Sequence, residues 1–389
     1  MMKYCTHCLM PDTKPHLSFD EDGVCQACRA HQLKNDYLGG IDWDARENDF
    51  NALLDQAKSA GGPSYDVLVP VSGGKDSITQ VHRILGRGLR ILAVHVDYGI
   101  KTEIGRRNLE RVPDMGADLL VFRPSQPLHK QLIRIGLEDF GDPDLLSHTL
   151  LHAYPQHVAL QYEIPLVLLG ENAAVEYSGE TDTAASNTMT RAWFDRYAAN
   201  QGRDARFISQ RYDIPLETLR YYDFPDRIAQ SSTQAVFLSY YFHWDSAKHL
   251  EIARKYGFES LDGPAEGTYR NYVGLDEKIH RIHQYLKVLK FGYGRATDHA
   301  CEDIRNGRLT REQAKRLVKE HDLEDVSDYF LDDVAQYLDM TKATLLAVVG
   351  QYRNLDIWQR EATGRWSIPG HLQDDSSSVA AQIATAGAR

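Results

Sequence analysis

No apolar run in this chain is long enough to cross a membrane, and its start, Met1-Met-Lys-Tyr-Cys-Thr6, has no apolar signal core. Those absences argue against a membrane-spanning or exported protein and make a cytoplasmic location the expectation. A basic excess is also missing, because 44 Lys and Arg stand against 55 Asp and Glu for a net charge of −11. Proteins that grip a polyanion need the opposite balance, so nucleic acid is not the expected partner. No internal repeat is visible. Cysteine is nearly absent after residue 28, with Cys301 the one exception. What is present is ordinary for a globular protein: 42% apolar and 25% charged residues. A length of 389 residues exceeds one ordinary core and predicts two or three domains.

The other four cysteines form two knuckles, Cys5-Thr-His-Cys8 and Cys25-Gln-Ala-Cys28. Four thiolates at this spacing suit one tetrahedral, closed and therefore structural zinc ion. An iron–sulfur cluster and dithiol redox chemistry are the alternatives, and a cytosolic disulfide is disfavoured. His7 and His31 lie beside the knuckles, but four sulfurs already complete the site. Cys301 reads as a small buried or half-buried residue, since nothing marks it as a nucleophile.

The knuckles define a zinc ribbon over 1–40. An α/β region over 41–243 follows, beginning with a helix at 42–60 whose apolar face carries Phe50, Leu53, Leu54 and Ala57. Apolar runs at 66–71, 90–97, 118–122 and 164–169 read as strands. Helices are expected at 76–86 and 103–115, with two more before the last strand. This alternation predicts a parallel sheet with right-handed crossovers. Ligands in such sheets bind at the carboxyl ends of strands, where Ser72–Ser77, His95–Tyr98 and Gly170–Tyr177 are expected to converge. From 244 to 372 the pattern is helical, with segments at 248–256, 276–289, 311–321 and 332–337. Thr310-Arg-Glu-Gln313 reads as a capping box. The Ser/Ala/Asp-rich tail at 373–389 has no core-forming pattern and is expected to be disordered.

Directly after the first strand stands Val71-Ser-Gly-Gly-Lys-Asp-Ser77. Two glycines let the backbone turn its N–H groups inward, and a helix start adds partial positive charge. Ser72, Gly73, Gly74, Lys75, Asp76 and Ser77 thus read as a phosphate cradle. The pattern departs from the Walker form G-x-x-x-x-G-K-[ST] and resembles the pyrophosphate loop of ATP pyrophosphatases, which cleave ATP between its α and β phosphates. ATP chemistry calls for magnesium on carboxylate oxygens, and Asp76 and Glu171 are the assigned ligands. The plainer readings are a helix-start acid for Asp76 and a solvated loop acid for Glu171. Lys75 is assigned to phosphate oxygens. Lys101 is either an assistant or a surface lysine. Asp97 is either a ribose or adenine contact or a cap, and His95 and Gly170 lie at the same strand ends. Asn172, Glu176 and Tyr177 form an acidic, polar loop suited to substrate hydroxyls or amides. Lys290-Phe-Gly-Tyr-Gly-Arg-Ala-Thr-Asp-His299 reads as a loop approaching an anionic ligand, with Lys290 and Arg295 stabilising transferring phosphoryl charge and His299 near the substrate. The plainer reading is a helix–helix turn with solvated charges.

Together the knuckles, residues 71–77, Gly170-Glu-Asn-x-x-x-Glu-Tyr177, residues 290–299 and Ile304-Arg-Asn-Gly-Arg-Leu-Thr-Arg-Glu312 resemble the N-acetyl sugar amidotransferase family. The resemblance runs from residue 1 to about 370. It implies an enzyme of lipopolysaccharide or flagellin-glycan biosynthesis that turns an acetamido group into an acetamidino group. The implied substrate is a nucleotide-linked N-acetyl sugar, such as a UDP-linked diacetamido uronic acid or a CMP-linked nonulosonic acid. The amide oxygen would attack the α-phosphate of ATP, releasing pyrophosphate. Ammonia would then displace AMP.

A glutaminase of its own would need a nucleophilic cysteine. The chain begins Met-Met rather than with cysteine, and a G-x-C-x-G elbow is absent. The expected ammonia source is therefore a separate subunit. The family pattern implies a histidine-biosynthesis-like glutaminase, with a cyclase-like barrel as a further candidate partner. A tRNA-thiolating enzyme is the competing reading. It needs catalytic cysteines or an iron–sulfur cluster and a basic RNA surface, and the acidic balance argues against it. A zinc-ribbon interaction protein with an inert nucleotide loop is the third.

Overall fold

The computed structural model describes residues 2–38, 41–61, 63–172, 176, 187–198 and 202–372. Tyr177 and the tail at 373–389 lie outside the described residues.

Five parallel strands form the central sheet: β1 (Val67–Pro70), β2 (Ile91–Val96), β3 (Asp118–Phe122), β4 (Leu166–Leu169) and β5 (Gln234–Phe237). Their order is β3-β2-β1-β4-β5. Val67 pairs with both Ile91 and Leu166, so β1 sits between β2 and β4. The strand order reverses there, which opens a crevice at the strand carboxyl ends. Alternation along β1 serves both faces of the sheet. Val67 and Val69 join Phe50, Leu54, Val81 and Ile84 on one side. Leu68 joins Val158, Ile164 and Phe194 on the other. A strand buried on both faces must be continuously apolar, as this one is.

The helix expected at 42–60 runs Trp43–Ala60, capped by the Asp42 side chain. The single helix expected at 103–115 is two, Glu103–Leu109 and Arg111–Asp114. Pro113 explains the break: it has no N–H for the Leu109 carbonyl, and its ring crowds that carbonyl. β5 was not expected, since four residues, Gln-Ala-Val-Phe, carry almost no periodic signal. Nor was the helix Lys342–Gly350. The stretch 290–299 is corrected as well. Only Gly292, Tyr293 and Gly294 form the turn, between the helices Ile279–Phe291 and Arg295–Arg305.

The C-terminal helices pack back on the α/β region. Leu250 and Ala253, in the helix Ser246–Arg254, meet Ile78. Ile282, Leu286 and Leu289 join Ile133 and Leu137 of the helix Gln126–Phe140. The N-terminal knuckles share a core with Ala296, Ala300, Cys301 and Ile304. Arg311 fastens that contact from the expected capping-box helix, Arg311–His321, donating to the carbonyls of Cys8 at 3.1 Å and Cys5 at 3.3 Å. No helix of the described residues is long and apolar enough to cross a membrane.

Asp322 holds the Gly-Tyr-Gly turn. It is buried and accepts from the Gly294 N–H at 2.7 Å, the Thr297 N–H at 2.8 Å and the Thr297 hydroxyl at 2.7 Å. A side chain at Gly294 would place its Cβ 2.7 Å from the Asp322 carbonyl oxygen, so the turn admits only glycine there. Asp322→Ala orphans three donors and is expected to destabilise the C-terminal region by about 3 kcal/mol. The check is the urea midpoint, which an uninvolved residue would leave unchanged.

Candidate active site

Chain direction and glycine build the loop after β1. Gly73 has φ +88°, and a Cβ on it would lie 2.8 Å from the Leu109 backbone nitrogen. The serines brace the turn from within: the Ser77 hydroxyl accepts from the Ser72 N–H at 2.9 Å, and the Ser72 hydroxyl accepts from the Gly74 N–H at 3.2 Å. The helix Lys75–Ile84 then begins with its positive end at the crevice. Lys75 Nζ lies 2.7 Å from Asp76 Oδ2, and His249 Nδ1 donates to Asp76 Oδ1 at 2.8 Å. Burial pushes the Asp76 carboxyl up, but Lys75 and His249 outweigh it and hold the group ionised, well below the usual carboxylate range.

The loop forms one wall of a crevice of about 220 Å³, lined by Ser72, Gly73, Gly74, Lys75 and Asp76. Asp144, His148, Glu277, His280 and Arg295 line it as well. Arg295 donates to His280 Nε2, and His280 Nδ1 donates to Asp144 Oδ2 at 3.2 Å. Beside them, His283 Nδ1 donates to Asp142 Oδ1 at 2.8 Å. A long-range backbone pairing carries this wall to the sheet. The Thr102 N–H donates to the Asp276 carbonyl at 2.9 Å, and the Lys278 N–H to the Ile100 carbonyl at 3.0 Å.

The residues expected at the site separate into distinct groups. The phosphate-loop residues and Arg295 share the crevice. Ser77 lies beneath the loop as its brace. His95 is buried behind it, its Nδ1 donating to the Val71 carbonyl at 2.8 Å and its Nε2 accepting from Lys101. Burial and Lys101 press its pKa down to about 4, so the ring is neutral. Asp97 caps its own turn, accepting from the Gly99 N–H at 2.8 Å, and lies 3.8 Å from Arg123. His299 is buried against Thr268 at 2.7 Å, and burial with Arg270 and Arg295 holds it well below its ordinary pKa.

Lys290 is not brought to the crevice. Its ammonium donates to the Phe140 carbonyl at 3.2 Å and lines a separate cavity with Thr13 and Asn354. The cause is helical phase: five positions and a turn separate Lys290 from Arg295 and send them to different faces. Gly170, Glu171, Asn172 and Glu176 are not in the crevice lining among the described residues. Asn172 turns inward, its Oδ1 accepting from Trp193 Nε1 at 3.1 Å.

Sequence reasoning missed Asp142, Asp144, His148, Glu277, His280 and His283. Two signals were available: the acids flanking proline in Asp142-Pro-Asp144, and the histidines three apart on one helix, which share a face.

The four ribbon cysteines have their sulfurs within 4.8 Å of one another. Cys5 and Cys28 sulfurs are 4.0 Å apart, and those of Cys8 and Cys25 3.7 Å. Tetrahedral Zn–S bonds of about 2.3 Å set sulfurs about 3.8 Å apart, so the cluster is compatible with structural zinc. The Cys25 N–H donates to Cys5 Sγ at 3.2 Å, and the Cys8 N–H does so at 3.4 Å. Such bonds suit thiolate ligands. Cys301 is fully buried and accepts from the Leu9 N–H at 3.4 Å.

Fold and site thus define a phosphate-loop α/β protein whose C-terminal helices complete the ligand crevice. Residues 266–371 match the family model described as LPS biosynthesis protein WbpG-like, C-terminal domain. No curated protein sequence matches the chain. Among solved structures, NMN synthetase from Francisella tularensis is similar at 14% identity, covering 56% of this chain and 93% of that chain, with a TM-score of 0.27.

The purified protein is expected to carry one zinc per chain by elemental analysis. Cys28→Ser should lose the metal and detach the ribbon from the helix Arg295–Arg305, read as faster proteolysis of residues 2–38. Full stability without bound metal would contradict the assignment.

Proposed function

We propose that this chain is an ATP-dependent amidotransferase that converts an acetamido group of a nucleotide-linked sugar to an acetamidino group, in bacterial lipopolysaccharide or flagellin-glycan biosynthesis. One observation carries the reading: Arg295, from the segment that matches the WbpG-like family, lines the same crevice as the phosphate loop. The loop's N–H groups and Lys75 would take the leaving pyrophosphate, and Arg295 the charge developing on the transferring phosphoryl group. Asp76 is ionised at the crevice wall and offers hard oxygen donors, so it fits magnesium brought with ATP. Magnesium would supply charge neutralisation. The protein's own part is positioning: a poor electrophile and a poor leaving group held in line. The amide oxygen attacks the α-phosphate, and an O-adenylyl imidate and pyrophosphate result. Ammonia adds at the imidate carbon, and AMP departs.

All five cysteines are buried, four of them in the ribbon cluster. None is therefore presented as a glutaminase nucleophile, which supports ammonia supply by a separate glutaminase subunit.

The test is ATP–pyrophosphate exchange with UDP-linked diacetamido uronic acid or CMP-linked nonulosonic acid, followed by mass spectrometry of the ammonium-dependent product. The product should be lighter by the difference between O and NH. Formation of ADP and orthophosphate would overturn the proposal. Lys75→Ala should lower exchange about 10²- to 10³-fold, whereas Lys290→Ala should leave it near wild type. Ammonium salts should support turnover where glutamine alone does not.

A further inference from the structure

Two carboxylates in the crevice are buried without the hydrogen bonds that burial requires. Glu277 is 6% exposed, and neither of its carboxylate oxygens has a hydrogen-bond partner. Its nearest cation, Lys101 Nζ, stands 3.5 Å from Oε1 in a long ion pair and also donates to His95. Asp144 is 3% exposed, and its Oδ1 has no partner while Oδ2 is taken by His280. Unpaired buried acceptors are costly, and a ligand that completes them lifts that cost. Phosphate oxygens cannot satisfy these groups while they are ionised, since they too are acceptors. The ligand must bring several N–H or O–H donors.

Given the amidating reading above, on which this inference rests, the small donor-rich reactant is the nitrogen source. We propose that Glu277 is the general base that takes the proton from ammonium in the crevice, with Asp144 Oδ1 as a second acceptor for the incoming nitrogen. The Glu277 carboxylate removes one proton from ammonium, leaving ammonia and a carboxylic acid. The nitrogen lone pair forms the C–N bond at the O-adenylyl imidate carbon. The C=N π pair moves to the imidate nitrogen, which takes the proton back from Glu277. The new ammonio group loses one proton to water, and the C–O bond breaks with its pair on AMP. An acetamidinium product remains.

The surroundings suit the task. Burial pushes the Glu277 carboxyl up to about 8 against the opposing effect of Lys101, with Asp276 and Asp97 adding to the rise. Tyr98 and Tyr337 also face it. A base poised near neutrality accepts a proton from ammonium and can return it.

Glu277→Gln in the full chain separates the half-reactions. ATP–pyrophosphate exchange, with whichever of the two nucleotide sugars the wild type adenylates, should stay within a few-fold of wild type. Ammonium-dependent amidine formation should fall by about 100-fold or more. Hydroxylamine, already uncharged at neutral pH, should remain a competent nucleophile, and Glu277→Asp should recover part of the ammonium activity. An equal loss with ammonium and hydroxylamine, or a loss of exchange itself, would overturn the role of Glu277. No exchange by the wild type with either nucleotide sugar would overturn the amidating reading and the inference with it.

Discussion

The backbone pairing of residues 100–102 with 276–278 is the constraint on which the site depends. Two hydrogen bonds, from Thr102 to Asp276 and from Lys278 to Ile100, fix the start of a C-terminal helix against the end of β2. Glu277 is thereby held beside Lys101, and the helix that follows carries His280 and His283 toward Asp144 and Asp142. Without that pairing the phosphate loop would lose the crevice wall carrying Glu277 and His280. With it, the loop faces a wall of fixed charges in a partly desolvated space, where electrostatic interactions are stronger than in water.

The ribbon contributes from a distance. Its knuckles share a core with Ala296, Ala300 and Cys301, on the helix that Arg295 begins. Arg311 ties the Cys5 and Cys8 carbonyls to the next helix, and Asp322 clamps the turn before Arg295. The closely spaced motif residues at 304–312 are thus explained by packing: Arg308 joins Asp303, Glu302 and Asp245 in a partly exposed ion network that also holds the buried Arg270. Networks of this kind specify one arrangement of helices at the cost of desolvation.

Much of the fold was legible along the chain because its signals are local. Apolar runs marked β1, β2 and β4, since a parallel strand buried on both faces admits a polar residue only where a partner satisfies it, as His95 is satisfied in β2. The loop at 71–77 was legible because a tight turn into a helix needs glycine where φ is positive, as at Gly73. β5 was not, being too short to show a period. Lys290 and Arg295 looked like one cationic loop, yet a helix end and a glycine turn lie between them and rotate them to different faces. Asn172 looked like a substrate group and instead satisfies Trp193 inside the core.

By itself the sequence determined the parallel α/β core, the phosphate loop and the four-thiolate cluster, because each is encoded by residues near one another in the chain. Only the tertiary structure decided which distant charges meet the loop. Glu277, His280, Asp144 and Arg295 come from three separate segments, and their convergence follows from long-range packing and one pair of backbone hydrogen bonds, neither of which leaves a periodic trace in the chain.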